Sequence, residues 1–137
     1  MLSARNNVKG EVCEVKKGVV SGLVKIKSGN ETITANISLE SIENLGLEQG
    51  KTATAVIKAT EVMIATEKAK LSVRNQIPGK ITEVKKGAVN GIVKVDADCG
   101  AKFTSTISID SIEDLGLEVG KAVYVVIKAT SVMVMVD

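Results

Sequence analysis

Residues 8–26 read VKGEVCEVKKGVVSGLVKI and carry the clearest indication of the fold. Two runs rich in valine and isoleucine, 8–15 and 19–26, are separated by the tripeptide KKG, and this pattern is typical of a β-hairpin. Farther along, ETITANI, TATAVIKA and EVMIA supply three more short segments with turn signals between them. The sequence therefore predicts about five short strands within the first 65 residues.

The hairpin returns later in the chain as part of an internal repeat. The matched pairs are 3–26 with 72–95 at an offset of 69, and 37–51 with 107–121 and 56–63 with 126–133 at an offset of 70. The one-residue change falls in a polar, glycine-containing stretch where a turn can absorb an insertion. The sequence predicts two copies of one unit, with domains at 1–66 and 71–137 joined by TEKAKL (66–71).

One segment between the third and fourth predicted strands departs from the β pattern. In ISLESIENLGL, Leu39, Ile42 and Leu45 recur at a three-residue spacing, Ser38 is a good N-cap, and Gly46 suits the position just past a helix. We expect one short helix, from about Leu39 to Leu45, in each copy. The predicted fold class is all-β: two tandem OB-like five-stranded barrels, each with one short helix.

The composition argues against an enzyme. There is no histidine, which excludes His-based acid–base or nucleophilic chemistry. Cys13 is matched by Thr82 in the second copy, and Cys99 lies in the loop that carries the insertion, so neither is expected to be a nucleophile or a metal ligand. The glycines show no phosphate-loop spacing.

Charge and aromatic content argue against nucleic acid as a partner. The net charge is +2, and Phe103 and Tyr124 are the only aromatic residues available to stack on bases. No apolar run approaches the roughly 18 residues that span a bilayer, and MLSARNNVKG (1–10) lacks the apolar core of a secretory signal. We expect a cytoplasmic protein with neither a nucleic-acid nor a membrane partner.

A set of hydrogen-bond donors recurs in both copies. Its members are Ser3, Arg5, Ser38, Ser41, Lys58 and Thr60 in the first copy and Ser72, Arg74, Ser108, Ser111, Lys128 and Thr130 in the second. Each position alone has an ordinary explanation, since a serine before a helix is usually a cap and a surface cation is usually solvated. The joint recurrence favours a binding site.

The helix start is the natural place for an anion in this set. With Ser38 as N-cap and Ser41 three residues on, both hydroxyls lie at a first turn whose backbone N–H groups are unpaired. A tetrahedral dianion offers only acceptors, so it needs donors and about two positive charges. One arginine and one lysine would supply those charges.

Three motifs resemble the molybdate-binding Mop domain: SARN (3–6), ISLESIENLGLEQG (37–50) and KATEVM (58–63). The whole chain is similar to the tandem, or di-Mop, molbindins. The resemblance implies OB-like barrels that bind molybdate or tungstate as the oxyanion at subunit interfaces, with no direct bond from protein to metal. It also implies a homo-oligomer, with a trimer as the expected state.

The resemblance also implies a role and a set of residues. The expected function is intracellular storage and homeostasis of the oxyanion; the alternative is a molybdate sensor module that reports to a partner protein. No helix-turn-helix accompanies the two units, so the DNA-binding half of the related regulator is not expected. The implied oxyanion-binding residues are Ser3, Ala4, Arg5, Ser38, Ser41, Lys58, Ala59 and Thr60, with Ser72, Val73, Arg74, Ser108, Ser111, Lys128, Ala129 and Thr130.

The copies depart from each other near the SARN motif. Val73 stands where the first copy has Ala4, and Pro78 replaces Lys9, which removes one donor and one charge. We expect the two copies to differ in affinity.

Overall fold

The computed structural model describes residues 5–68, 70 and 74–137. In the first copy these residues form β1 (Arg5–Lys17), β2 (Ser21–Ser28), β3 (Glu31–Ser38), α1 (Leu39–Asn44), β4 (Thr52–Lys58), a 3-10 turn (Ala59–Glu61) and β5 (Met63–Ala65). In the second copy they form β6 (Arg74–Lys86), β7 (Asn90–Ala97), β8 (Lys102–Ser108), α2 (Ile109–Asp114), β9 (Ala122–Lys128), a 3-10 turn (Ala129–Ser131) and β10 (Met133–Met135). The predicted all-β class, with two five-stranded sheets and one short helix per copy, is confirmed.

The first strand of each copy is long because it serves two partners. In β1, the residues before Glu11 pair with β4 and those after it pair with β2. A bulge between Val12 and Glu14 bends the strand at this change of partner. Gly10 lies at the bend, where a Cβ would collide with the carbonyl of Lys27. The bend curls each sheet toward a barrel.

The fifth strand of each sheet comes from the other copy. The strand orders are β10-β4-β1-β2-β3 and β5-β9-β6-β7-β8. Met63 in β5 pairs with Val126, and Met133 in β10 pairs with Val56. The sequence predicted EVMIA as the last strand of its own copy, and the number of strands was right while the exchange was missed. Strands β4 and β9 carry the same VIK sequence, so β5 could pair with either strand through nearly the same residues. The sequence pattern alone therefore does not distinguish the two pairings.

The exchange gives the two copies one shared hydrophobic core. The cluster runs continuously from Val12 and Ile26 in the first copy to Ile81 and Phe103 in the second. Val62, directly before the exchanged strand β5, is 1% exposed. The division into domains at 1–66 and 71–137 stays a prediction, and the exchanged strands mean that each sheet needs residues from both segments.

Candidate functional site

The predicted serine pair lies at the helix start, as the sequence indicated. Ser38 is the N-cap of α1, with its Oγ accepting a hydrogen bond from the Ser41 N–H at 3.1 Å. The Ser38 hydroxyl in turn donates to Ser41 Oγ at 2.9 Å. Ser108 and Ser111 repeat both contacts at the start of α2, at 3.1 and 2.9 Å. The second serine of each pair therefore keeps its own hydroxyl hydrogen for a further acceptor.

Each helix is also fixed at its other end. Gly46 follows α1, as the sequence predicted, and has a φ of 60°, the left-handed conformation common just past a helix. Lys51 Nζ donates to the Leu45 carbonyl at 2.8 Å, and Lys121 makes the same contact to Leu115 at 2.8 Å. These lysines satisfy the last carbonyls of helices that are only six residues long. The serines are thus held in place by contacts at both helix ends.

Arginine and lysine of each copy occupy directly opposite positions in an antiparallel pair. Arg5 in β1 is the register partner of Lys58 in β4, and Arg74 in β6 is the partner of Lys128 in β9. Both lysine side chains are exposed, and within residues 5–68, 70 and 74–137 no carboxylate forms an ion pair with either. Like charges placed directly opposite each other are unfavourable in a sheet. Each copy thus brings two basic residues to one register position, directly before its 3-10 turn.

The strand exchange carries the threonine of one copy to the serines of the other. The 129–131 turn contacts β3, and Thr130 lines a cleft of about 370 Å³ together with Ser38 and Ser41. Asn36 and Val132 also line this cleft. The sequence grouped these serines with residues of their own copy, and the structure supplies Thr130 from the second copy.

The 59–61 turn has the reciprocal position. It contacts β8, the strand that ends at Ser108, and the Ser105 hydroxyl in β8 donates to the Val62 carbonyl just beyond the turn. Thr60 is exposed at this turn, whereas Ala59, including its backbone, is only 1% exposed.

The two turns also meet each other. Glu61 and Ser131 occupy equivalent positions in the two copies, and Ser131 Oγ donates to Glu61 Oε2 at 3.1 Å. This contact between equivalent residues agrees with the reciprocal exchange of β5 and β10.

Four predicted site residues lie outside the described residues: Ser3, Ala4, Ser72 and Val73. For Arg5 and Arg74 the structure gives the strand position and its register partner.

Sequence reasoning missed the asparagine of SARN and SVRN as a residue that builds the site. Asn6 is 5% exposed, and its side-chain amide bonds both backbone groups of Thr104, with Thr104 N–H to Oδ1 at 2.7 Å and Nδ2 to Thr104 O at 2.9 Å. Asn75 makes the same pair of bonds to Thr34, at 2.8 and 2.9 Å. The signal was present in the sequence, because the asparagine is repeated directly after each arginine.

The described residues also bear on metal ligation and on the surroundings of Cys13. Among them, no group of three or more His, Cys, Asp or Glu residues could hold a metal ion. Cys13 Sγ donates to the Lys25 carbonyl at 3.5 Å, and its counterpart Thr82 donates to the Lys94 carbonyl at 3.3 Å. The thiol and the hydroxyl thus fill the same structural place. None of the described helices has the length and apolar character needed to cross a bilayer.

The fold and the repeated donors define a tandem β-barrel binding module with exchanged strands. The TOBE domain family matches residues 2–64 and again residues 71–134. The chain therefore belongs to the TOBE domain family, in two tandem copies.

Relatives with known names carry the comparison further. The molybdenum transport protein ModE of Herbaspirillum seropedicae is 35% identical over 138 residues, which cover 98% of this chain and 51% of that protein. A probable molybdenum-pterin-binding protein of Haemophilus influenzae is 48% identical over 68 residues, 50% of this chain and 99% of that protein. The chain thus spans about half the length of the ModE relatives and twice that of the single-copy relative.

A solved structure matches the whole chain. The cytoplasmic molybdate-binding protein ModG, in a crystal form with molybdate bound, superposes with a TM-score of 0.95 at 36% identity over 99% of both chains. The predicted resemblance to tandem molybdate-binding domains is confirmed by these matches.

Proposed function

We propose that this protein binds molybdate, and tungstate by the same chemistry, as an intact tetrahedral oxyanion. The observation that carries the proposal is the repeated cation pair, Arg5 opposite Lys58 and Arg74 opposite Lys128. Two positive charges match a dianion, and charge-assisted hydrogen bonds to oxyanions are among the strongest that proteins make. The whole-chain likeness to molybdate-bound ModG supports molybdate as the ligand.

Each chain carries two such sites in this proposal, and each site draws on both copies. One site combines Arg5, Lys58 and Thr60 with Ser108 and Ser111. The other combines Arg74, Lys128 and Thr130 with Ser38 and Ser41. The cleft that already holds Thr130 beside Ser38 and Ser41 supports this grouping. The motif residues Ser3, Ala4 and Ala59, with Ser72, Val73 and Ala129, complete the two sets.

The proposed activity is binding without chemical conversion. The hydroxyl, amide and cationic groups all donate hydrogen bonds, which suits an acceptor-only ligand. Because such a protein buffers its ligand, we assign it to storage and homeostasis of the oxyanion in the cytoplasm, as the cytoplasmic ModG likeness supports.

We further propose a homo-oligomer, with a trimer as its state. Valine side chains are exposed at the tips of the β1–β2 and β6–β7 hairpins: Val19 is 94% exposed, Val20 78% and Val89 74%. Clustered exposed apolar residues mark interaction surfaces. The hairpin tips lie beside the helix starts, since the Val20 carbonyl accepts from Leu39 N–H at 2.9 Å and the Val89 carbonyl from Ile109 N–H at 3.0 Å.

Calorimetric titration with molybdate tests the function, with sulfate as a matched dianion. We expect saturable binding that is lost in the Lys58→Gln, Lys128→Gln double variant and kept in Lys80→Gln, an exposed lysine of β6 outside the motif set. Native mass spectrometry of the same samples gives the subunit number. A wild-type protein that takes up no molybdate would overturn the proposal.

A sensor role is the second candidate, and one comparison favours it. The transcriptional regulator ModE of Yersinia pestis is 32% identical over 135 residues, which form 51% of its length. A partner protein retained on the immobilised chain only in the presence of molybdate would favour sensing over storage.

A further inference from the structure

We propose that Ser105 is a positioning residue for the oxyanion site that contains Lys58, and that the site containing Lys128 has no counterpart to it. This inference rests on the proposed function, because it concerns how one of the two binding segments is held.

Ser105 holds the carbonyl that ends the binding turn. It lies in β8, is fully buried, and its hydroxyl donates to the Val62 carbonyl. Val62 follows the turn of Ala59–Glu61 directly, and its own N–H closes that turn on the Ala59 carbonyl at 3.3 Å. Both backbone groups of Val62 are therefore fixed, one by the turn and one by Ser105.

The second copy lacks the hydroxyl at this place. Ala35 occupies the position in β3 that Ser105 occupies in β8, and it is also fully buried. The N–H of Val132 closes its own turn on Ala129 at 3.4 Å, as Val62 does on Ala59. A methyl group has no hydrogen bond to offer the Val132 carbonyl. The two turns are thus closed alike and anchored differently.

The anchor acts on the ligand through the residues of the turn. Lys58 and Thr60 both lie within four residues of Val62, so fixing that carbonyl restricts the segment that presents them. A donor already held in its binding position loses less conformational freedom when the ligand arrives. The buried Ser105 hydroxyl keeps its hydrogen bond to the Val62 carbonyl, because a buried hydroxyl without an acceptor is costly.

The test uses single-site backgrounds. In the Lys128→Gln background only the site containing Lys58 can bind molybdate. In the Lys58→Gln background only the site containing Lys128 can bind it. In the first background we expect Ser105→Ala to weaken molybdate binding about three- to tenfold, the range for one hydrogen bond. In the second background we expect Ser105→Ala to leave the Kd unchanged. The variant is suited to folding because the fold already accepts alanine at position 35.

Hydrogen exchange in the ligand-free protein gives a readout that does not depend on molybdate. Ser105→Ala should speed amide exchange in peptides covering 59–65 and leave 129–135 unchanged. Thr82→Val is the control, since it removes another hydroxyl-to-carbonyl bond, an exposed one to Lys94 at 3.3 Å between β6 and β7. It should change neither the exchange of 59–65 nor the Kd.

The outcomes separate the two proposals. Equal weakening of both single-site backgrounds, or unchanged exchange and Kd at the Lys58 site, would overturn the role of Ser105 while molybdate binding stands. Failure of the wild-type chain to bind molybdate would instead overturn the proposed function, whatever the exchange data show.

Discussion

The side chain of Asn6 bonds the backbone of Thr104 as a neighbouring strand would, accepting from its N–H at 2.7 Å and donating to its carbonyl at 2.9 Å. Asn6 belongs to the first copy and Thr104 to β8 of the second. Because Arg5 precedes Asn6 and Ser108 lies four residues beyond Thr104, this pair sets the distance between two predicted binding positions. Asn75 and Thr34 make the equivalent pair of bonds between the copies.

Replacing Asn6 should therefore lower stability as well as binding. Asn6→Ala leaves the Thr104 N–H and carbonyl without their partner, which costs about 1–3 kcal/mol in the free energy of unfolding. Asn7→Ala is the control, because Asn7 is exposed and adjacent in the same strand. Urea denaturation measures the free energy of unfolding of both variants, and calorimetric titration with molybdate measures their binding. An Asn6→Ala protein as stable as Asn7→Ala would show that the cross-copy bonds contribute nothing.

The two serines of each helix start should separate in their effects. Ser38→Ala removes the N-cap acceptor of α1 and should cost about 1 kcal/mol of stability. Ser41→Ala keeps the cap, because its backbone N–H makes that bond, and should reduce molybdate affinity with little change in stability. Thermal unfolding and calorimetric titration of both variants check this. Equal stability losses in the two variants would contradict the assignment of the cap to Ser38.

The strand exchange can be tested by a disulfide. Met63 is the register partner of Val126, whereas an unexchanged β5 would lie beside Val56, which is the partner of Met133. In a background with Cys13→Thr and Cys99→Ser, the pair Met63→Cys and Val126→Cys should oxidise to an intrachain disulfide, since directly paired residues have the required spacing. Peptide mapping under non-reducing conditions identifies the bond. The control pair, Met63→Cys with Val56→Cys, should stay reduced, and a disulfide in the control alone would contradict the exchange.

The sequence predicted the local features well because each has a local cause. The helix start at Ser38 and its end before Gly46 follow from capping chemistry within a few residues. The exchange of β5 and β10 was missed because it depends on which of two nearly identical edges a short strand meets. The role of Asn6 was missed for a similar reason, since its partner lies 98 residues away.

The candidate site shows the same division. The repeated serines, cations and threonines were identified from the internal repeat, and the register then placed Arg5 opposite Lys58. Their grouping across copies could not be predicted, because Thr130 reaches Ser38 and Ser41 only through the exchanged segment. Ser105 escaped notice because the repeat offers alanine at the same place.

Anomalous diffraction at the molybdenum edge, from crystals grown with molybdate, locates each bound ion without reference to the protein model. We expect two strong peaks per chain, one from an oxyanion bound by Lys58, Ser108 and Ser111 and the other from an oxyanion bound by Lys128, Ser38 and Ser41. Peaks that lie away from both lysines, in crystals where the residues around Lys58 and Lys128 are ordered, would contradict the two proposed sites.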